Sequence, residues 1–515
     1  MRAPGRLAVV DLGSNSFRLV VFAAAAAPAP GRGGWWRRVD EIYEAVRIGE
    51  GLAATGALGE EGMARGQAAM EVFGHFCAAS GLAGDEIDAV ATSAIRDASN
   101  AEEFLRRAQA ASGVPVRVLS REQEARYGYL AAVNSTTLAD GAVLDLGGGS
   151  LQLVEVAGRL ARASASWPLG AVRMTERFLP GDGPAKPKQL RELRAHVAAE
   201  LERAPWLSRS GPRIVGIGGT VRNLAAAAQR DLGVAEFGVQ GYVLGRPELG
   251  ALIETLAALA PAERGGVPGV KPSRGDLILA GAVVVDQVLD SGGFEGIEVT
   301  EAGLREGVFF ERLLDGDPPL LDDVRRASVV NLAARYGMDP DSSPHVAHVA
   351  RLALGLFDEL AAAGLHEGAP LERELLWAAA VLHDVGVAID YDDHHKHSRY
   401  LILNGGLPGF QPREVALIGQ AVRYHRKGMP SLGPFASLAV GGDDERLLRM
   451  SLLLRLAEDL ERSRDQLVRE AHLDVDDGTV ALRLVSDGDD RVSRWAAGRE
   501  VELFARAFGR PLQVA

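Results

Sequence analysis

Asp11-Leu-Gly-Ser-Asn-Ser and Asp145-Leu-Gly-Gly-Gly-Ser are the two stretches of this chain best suited to holding an anion. Each pairs one carboxylate with a run of small residues. Small residues let backbone N–H groups close in on a charged ligand, and turns of this kind form anion-binding nests. The carboxylate is a natural holder of hydrated Mg²⁺, a hard ion that keeps several of its waters. From Asp11 to Val20 against Asp145 to Val154, six of ten positions are identical, so the loops are an internal repeat. Two such loops facing each other would grip phosphates from both sides, with Gly13, Ser14, Asn15 and Ser16 on one side and Gly147, Gly148, Gly149 and Ser150 on the other. A Gly-rich hairpin turn with an Asp is common for structural reasons alone. The duplication at equivalent places argues against that reading. Neither loop ends in Gly-Lys-Ser/Thr, which excludes a P-loop.

The elements that must position these loops read as strands. Leu7-Ala-Val-Val precedes the first loop and Phe17-Arg-Leu-Val-Val-Phe follows it; Gly141-Ala-Val-Leu and Leu151-Gln-Leu-Val-Glu-Val flank the second. Residues 1–135 alternate strand and helix, with strands expected at 6–11, 17–23, 39–48, 87–93 and 114–119 and helices at 60–80, 100–112 and 121–133. Residues 136–315 repeat this style, with strands at 141–146, 151–156, 213–217 and 296–300. Asp315-Gly-Asp-Pro-Pro breaks the chain. Residues 322–470 read as almost wholly helical, and 471–515 return to strands as a small α/β tail. The expected architecture is α/β: two similar halves, an all-α domain and a tail. Residues 23–30, rich in Ala and Pro, read as an exposed hairpin tip.

The whole chain sets bounds. Its 515 residues suggest roughly three to four domains. A formal charge of -13 argues against broad nucleic-acid or membrane binding, so basic residues must be locally concentrated if the ligand is a polyanion. The single cysteine, Cys77, excludes an intrachain disulfide and fits a reducing cytoplasm. No apolar stretch approaches the ~18–20 residues of a membrane span, and Asp11 and Asn15 interrupt any signal-like run.

Other residues could join the loops. Arg96 ends Ala91-Thr-Ser-Ala-Ile-Arg and could fork onto a phosphate, or pair with Asp97 or Glu102 at the surface. Thr92 and Ser93 could donate hydroxyls to the same phosphate, or cap the next helix. Gly218, Gly219 and Thr220 form a third small-residue turn leading into a helix, an anion site or a close strand–helix contact.

The stretches Asp11-Leu-Gly-Ser-Asn-Ser-Phe-Arg-Leu, Arg47-Ile-Gly-Glu-Gly-Leu, Ala91-Thr-Ser-Ala-Ile-Arg, Glu122-Gln-Glu-Ala-Arg, Asp145-Leu-Gly-Gly-Gly-Ser, Gly216-Ile-Gly-Gly-Thr and Ala302-Gly-Leu-Arg-Glu-Gly resemble, in this order, the exopolyphosphatase and guanosine pentaphosphate phosphatase family. The resemblance covers about residues 1–312 and implies two actin-like halves, ribonuclease H-like in style. It implies Mg²⁺-dependent hydrolysis of a terminal phosphoanhydride, with inorganic polyphosphate or guanosine pentaphosphate as substrate and a homodimer as assembly. In that family the second acid of a Ser-Gly-x-Glu-Glu-Ala segment is the general base. Here the segment is Ser120-Arg-Glu-Gln-Glu-Ala125, which puts the base at Glu124, with Gln123 in place of the first acid and Arg121 in place of the Gly. On its residues alone, Glu124 reads first as a solvated helix residue paired with Arg121 or Arg126, and the resemblance reverses that preference. The resemblance implies that Asp11 and Asp145 hold the Mg²⁺, and we expect Arg96 to clamp the phosphate. An ATP-dependent kinase of the same fold and a non-catalytic polyphosphate or alarmone sensor are the other classes to separate.

Eight of eleven histidines fall between 345 and 425. His348, His383-Asp384 and Glu458 resemble an HD domain, whose metal ligands are His, His-Asp and a final Asp; Asp459 lies one residue late, about 100° around the helix. Long members of the phosphatase family carry such a region, where it serves more as a substrate channel. Residues 391–427 hold six Lys/Arg against three Asp/Glu and four histidines. A basic strip with partly protonated histidines suits a long polyphosphate chain, with Lys396 and Arg426 as expected contacts. The alternatives are a metal site and histidines that simply fill a helical bundle.

Overall fold

The computed structural model of the chain describes residues 5–25, 34–231, 233, 238–476 and 478–514. They divide into two compact units, one of residues 5–25 and Trp36–Val324, the other of Arg325–Val514. The hairpin tip expected over 23–30 lies outside the described residues beyond Ala25.

The first unit contains two sheets. One holds β1 (Gly5–Leu12), β2 (Phe17–Ala25), β3 (Trp35–Glu44), β4 (Ile87–Ala91) and β5 (Val116–Val118) in the order β3-β2-β1-β4-β5. The other holds β6 (Gly141–Leu146), β7 (Leu151–Ala157), β8 (Leu160–Trp167), β9 (Ile214–Ile217), β10 (Val243–Gly245) and β11 (Gly296–Val299) in the order β10-β11-β9-β6-β7-β8. The two orders are one topology used twice, with β10 added at an edge. In each, an antiparallel hairpin carries the acidic loop and a parallel strand lies on its other side, β4 beside β1 and β9 beside β6. Strands covered on both faces read as nearly continuous apolar runs, which is what Leu7–Val10 and Ala142–Leu144 show.

Between the sheets lies a shared apolar layer. The helix Arg121–Val133 supplies Leu130, Ala131 and Val133, and the helix Leu304–Leu313 supplies Val308, Phe309 and Phe310. They meet Val9 and Val20 from the first sheet and Val143, Val154 and Val215 from the second. The two helices touch closely: a Cβ on Gly307 would lie 2.0 Å from Tyr127 O. Phe22 of β2 stacks on Phe309 with ring centroids 4.4 Å apart, a contact type that adds about 0.5–1.5 kcal/mol beyond burial. Separate cores cover the outer faces. The helices Glu60–Ala79 and Ala101–Ser112 cover the first sheet, and Pro187–Leu201 and Gly275–Gly292 cover the second.

Several elements differ from the sequence-based expectation. β3 spans Trp35–Glu44 rather than 39–48; Val46 and Ile48 are buried beyond its end. β4 stops at Ala91 because Thr92 precedes a short helical turn, Ser93–Arg96. β8, Leu-Ala-Arg-Ala-Ser-Ala-Ser-Trp, was not expected, since Ala and Ser favour strands weakly. It forms because Gly158 and Arg159, both at positive φ, fold the chain back onto β7.

The second unit is mainly helical: Pro344–Ala362, Pro370–Leu382, His394–Gly405, Pro412–Arg423 and Asp443–Leu460. β12 (Val468–Val475), β13 (Val480–Ser486) and β14 (Leu512–Val514) follow, with the helices Arg491–Ala497 and Val501–Phe508. β12 packs on Pro344–Ala362, and both late helices pack on Asp443–Leu460. The C-terminal strands therefore share a core with the bundle instead of standing apart. No helix among the described residues is long and apolar enough to cross a membrane.

Candidate active site

The two acidic loops close with the same backbone bond. Gly13 N–H donates to Ser16 O at 3.2 Å, and Gly147 N–H donates to Ser150 O at 3.0 Å. Each loop is then pinned from outside. Arg47 and Gly49 N–H groups donate to Asn15 O and Ser14 O, which accounts for the Arg47-Ile-Gly-Glu-Gly-Leu motif. Ala171 and Val172 N–H groups donate to Gly147 O and Gly148 O. The loops also face each other, as their duplication suggested. A Cβ on Gly148 would lie 3.3 Å from Ser14 Cβ, and one on Gly149 would lie 2.5 Å from Ser93 Oγ. Glycine is required at 149 for that approach.

Between the loops is a cleft of about 130 Å³. Gly13, Ser14, Asn15, Ser16, Thr92, Ser93, Gly147, Gly148, Ser150, Gly218 and Gly219 all line it, together with Asp11, Glu124 and Asp145. Ser14 Oγ and Ser93 Oγ are 3.1 Å apart. Two of the expected small-residue turn positions lie off the cleft. Gly149 is turned toward Ser93, and Thr220 packs against Gly281, where an added Cβ would lie 2.5 Å from the threonine methyl.

The three carboxylates crowd one another electrostatically. Asp145 is pushed up to about 7, first by burial and then by Glu124 and Asp11. Burial also raises Asp11, with Arg305 and Arg18 pulling it back. Burial raises Glu124, against the pull of its bonds from Arg96 and Ser150. Glu124 is 7% exposed, so it is not the solvated helix residue that its charged neighbours allow. Arg121 lies near Asp97 and Arg126 pairs with Glu311 and Asp317, leaving Glu124 to other partners.

Arg96 departs from the expected phosphate clamp. Its Nη1 donates to Glu124 Oε2 at 2.7 Å and to Leu119 O at 3.1 Å, and it does not line the cleft. A buried carboxylate needs a cation or several donors, and Arg96 is the cation within reach. On its other oxygen, Glu124 accepts from Ser150 Oγ at 3.3 Å, and Ser150 Oγ accepts from Gln152 Nε2 at 2.8 Å. Gln123 is turned away into a capping box with Ser120.

The sequence reading missed the positive wall. Arg18, Arg222 and Arg274 line the cleft, together with Arg305 of the Ala302-Gly-Leu-Arg-Glu-Gly motif, which the sequence does single out. A second cavity of about 400 Å³ shares Arg18, Gly219, Arg222 and Arg274 with it and adds Arg38, Arg230 and Lys271. The cations are short of counter-charge. Arg222 is lowered to about 10 by burial, Arg305 and Arg18. Arg18, Arg274 and Lys271 are lowered too, each first by burial. At neutral pH they remain protonated, and a bound polyanion would relieve their mutual repulsion. Arg18 sits inside the first loop motif and Arg222 just after the Gly218–Thr220 turn, so position could have found them. Lys271 and Arg274 carry no signal beyond their charge.

Lys396 and Arg426 belong to the second unit. Lys396 pairs with Asp393 at 2.5 Å; Arg426 lies over the Tyr391 ring and 3.4 Å from His394 Nδ1. The expected strip of partly protonated histidines is not at the surface. His394, His395 and His425 are buried, and burial first lowers His395 to about 4 and His425 to about 3.

The sequence profile of the Ppx/GppA phosphatase family matches residues 32–315, and that of Ppx/GppA phosphatase domain III matches 324–489. The chain belongs to the Ppx/GppA phosphatase family. Members of this family are hydrolases. A crystal structure of the Aquifex aeolicus family member is 30% identical, covers 60% of this chain and 98% of its own, and superposes with a TM-score of 0.50. An exopolyphosphatase from Cytophaga hutchinsonii is 22% identical, covers 60% and 98%, and has a TM-score of 0.54. An exopolyphosphatase-like protein is 28% identical over 60% and 97%, with a TM-score of 0.53. The family and its fold account for the doubled topology of the first unit as actin-like.

Proposed function

We propose that the chain is an Mg²⁺-dependent exopolyphosphatase, hydrolysing the terminal phosphoanhydride of inorganic polyphosphate and releasing orthophosphate. The observation that carries this reading is the cationic path running from the loop cleft into the larger cavity through Arg18, Arg222 and Arg274. A path in which cations outnumber carboxylates, with Arg18 and Arg38 sharing Glu41, suits a ligand of repeating negative charge. Among the described residues lining the larger cavity, six cations stand against two carboxylates, which favours polyphosphate, a chain of repeating charge, over guanosine pentaphosphate.

The terminal phosphate rests against Gly13–Ser16 and Gly147–Ser150. Glu124 takes a proton from a water whose oxygen bonds to the terminal phosphorus, while the bridging P–O bond breaks and the shortened chain keeps that oxygen. Such a transfer passes through a loose transition state, so positioning and charge stabilisation do most of the work. Arg96 is a positioning residue for Glu124, not a clamp on substrate. The three mutually repelling buried carboxylates fit a hard cation. None of them belongs to a tight group of three metal-ligand atoms among the described residues, which suits an ion that keeps its own waters. Asp11 and Asp145 would hold Mg²⁺, which neutralises charge on the reacting phosphates.

The test is phosphate release with Mg²⁺ from long-chain polyphosphate and from guanosine pentaphosphate, side by side, with Glu124→Gln as control. Fast release from long chains, lost in the variant, supports the proposal. Release from the nucleotide alone would make the chain an alarmone phosphatase, and binding of polyphosphate without release would make it a sensor.

A further inference from the structure

The second unit carries a cluster that the phosphate chemistry does not use. We propose that His345, His383, Asp384, His394, His425 and Glu458 form a two-ion site for divalent transition metals. The ligands come from five places in the chain: the helices Pro344–Ala362, His394–Gly405 and Asp443–Leu460, the His383-Asp384 pair just after Pro370–Leu382, and His425 just after Pro412–Arg423. Five elements converging on one point are not the by-product of a single amphipathic face.

The cluster consists of two triads. His345, His383 and Glu458 form one, and Asp384, His394 and His425 the other; within each, the ligand atoms lie within 4.8 Å of one another. Glu458 Oε2 is 3.2 Å from His345 Nε2 and 3.3 Å from His383 Nε2. Asp384 Oδ1 is 3.2 Å from His394 Nε2. The carboxylate of Asp384 also reaches toward the first triad, 3.7 Å from both His345 Nε2 and His383 Nε2. Its Oδ2 accepts from Arg464 Nη2 at 2.5 Å, so Oδ1, between His383 Nε2 and His394 Nε2, is the oxygen placed to bridge two ions.

The hydrogen bonds set the ring tautomers. Nδ1 of His383 faces Ala380 O at 2.7 Å, Nδ1 of His394 faces Tyr391 O at 2.8 Å, and Nδ1 of His425 faces Val422 O at 2.7 Å. A carbonyl only accepts, so each Nδ1 carries a proton and Nε2 is the ring atom left facing inward. This is the outer-shell arrangement that orients metal-binding imidazoles. His394 Nε2 and His425 Nε2 stand 3.2 Å apart, within reach of one shared ion.

Orphaned atoms supply the independent observation. Both ring nitrogens of His345, His383 Nε2, Asp384 Oδ1 and Glu458 Oε2 are buried without a well-aligned hydrogen bond. His383 and Asp384 are both 0% exposed. Buried polar groups without partners are rare and costly, and here they converge on common points. The set departs from the HD resemblance. His348 is already committed, with Nε2 on Val468 O at 2.9 Å and Nδ1 on Arg351 at 2.8 Å, and His345 takes its place. His394 and His425 are additional. Imidazoles mixed with carboxylates select Mn²⁺, Fe²⁺, Co²⁺, Ni²⁺ or Zn²⁺ over Mg²⁺.

The test uses the full chain without a histidine tag. It is stripped with chelator and dialysed separately against Zn²⁺, Mn²⁺, Co²⁺ and Mg²⁺, and bound metal is counted by mass spectrometry. The expected result is two transition-metal ions per chain, visible d–d absorption with Co²⁺, and a metal-dependent rise in Tm. His345→Gln and His425→Gln should each lose one ion, whereas His348→Gln should keep both. Circular dichroism of each variant separates lost ligation from lost folding. Fewer than two ions in the folded wild-type chain with every transition metal, or equal loss in His348→Gln, would overturn the proposal and leave a buried ion-pair network.

Discussion

The loop after β1 and the loop after β6 share a turn, a closing hydrogen bond and a topological setting, yet differ in what faces the acid across the hairpin. Asp11 pairs in register with Arg18, and Asp145 pairs with Gln152. Arg18 draws Asp11 back toward ionisation and opens onto the cationic wall. Gln152 brings no charge and instead donates to Ser150, which donates to Glu124. Duplication supplied the phosphate grip twice. Divergence at one cross-strand position then turned one loop toward the cationic wall and the other toward Glu124, the proposed base.

The comparison breaks most severely at Glu124. Glu124→Gln should lower phosphate release by ~10²–10⁴, with the larger share of the loss in kcat, since the carboxylate acts on water. Next is Arg18→Gln, which makes the first hairpin like the second. It should raise KM for long chains about tenfold or more, the scale of a hydrogen bond to a charged group, and weaken the salt dependence of binding; unchanged binding would remove Arg18 from the substrate path.

A stability measurement sharpens the same contrast. The folded Asp145 carboxyl sits at about 7 against an ordinary 3.8. The folded state therefore holds that proton more tightly than the unfolded chain. Without Mg²⁺, stability should rise as pH falls through about 7 and level off below the ordinary value. Asp145→Asn should accordingly stabilise the metal-free protein at pH ~8, by an amount on the order of a few kcal/mol that vanishes at low pH. Asp11→Asn should shift stability in the same direction, because burial raises that carboxyl as well. Melting curves against pH that show no gain for either variant at alkaline pH would remove the crowding of buried carboxylates between the loops. The smallest effect belongs to Gln152→Ala, which frees Ser150 to reorient. Loss of one hydrogen bond of ~1 kcal/mol predicts about a fivefold fall in kcat.

Much of this site is visible in the residues themselves. The repeated Asp-Leu-Gly loops forecast their own facing arrangement, because a turn that is common by itself recurs here at equivalent places in two halves. The buried state of Glu124 is visible only through the family pattern, since Arg121 and Arg126 stand beside it in sequence and neither pairs with it. Lys271 and Arg274 were missed for a plainer reason. Their neighbours are set by the crossing of distant elements, which local spacing does not encode. His345 and His348 show the limit most clearly. Three residues apart on one helix, they share a face, and only the approach of β12 at Val468 decides which of them points at Glu458. The misassigned role of Arg96 has the same origin: a strand-end arginine looks the same whether it meets a phosphate or a buried carboxylate.

Glu124 accepts one hydrogen bond from each half of the first unit, Arg96 below the first sheet and Ser150 from the second loop. The bond to Ser150 is the longer, 3.3 Å against 2.7 Å. Any hinge that parts the two sheets must stretch that contact first and leave the carboxylate in the grip of Arg96 alone. The proposed base would then work as a latch, held by a salt bridge when the sheets part and turned to the phosphate cradle by the Ser150 hydroxyl when they close.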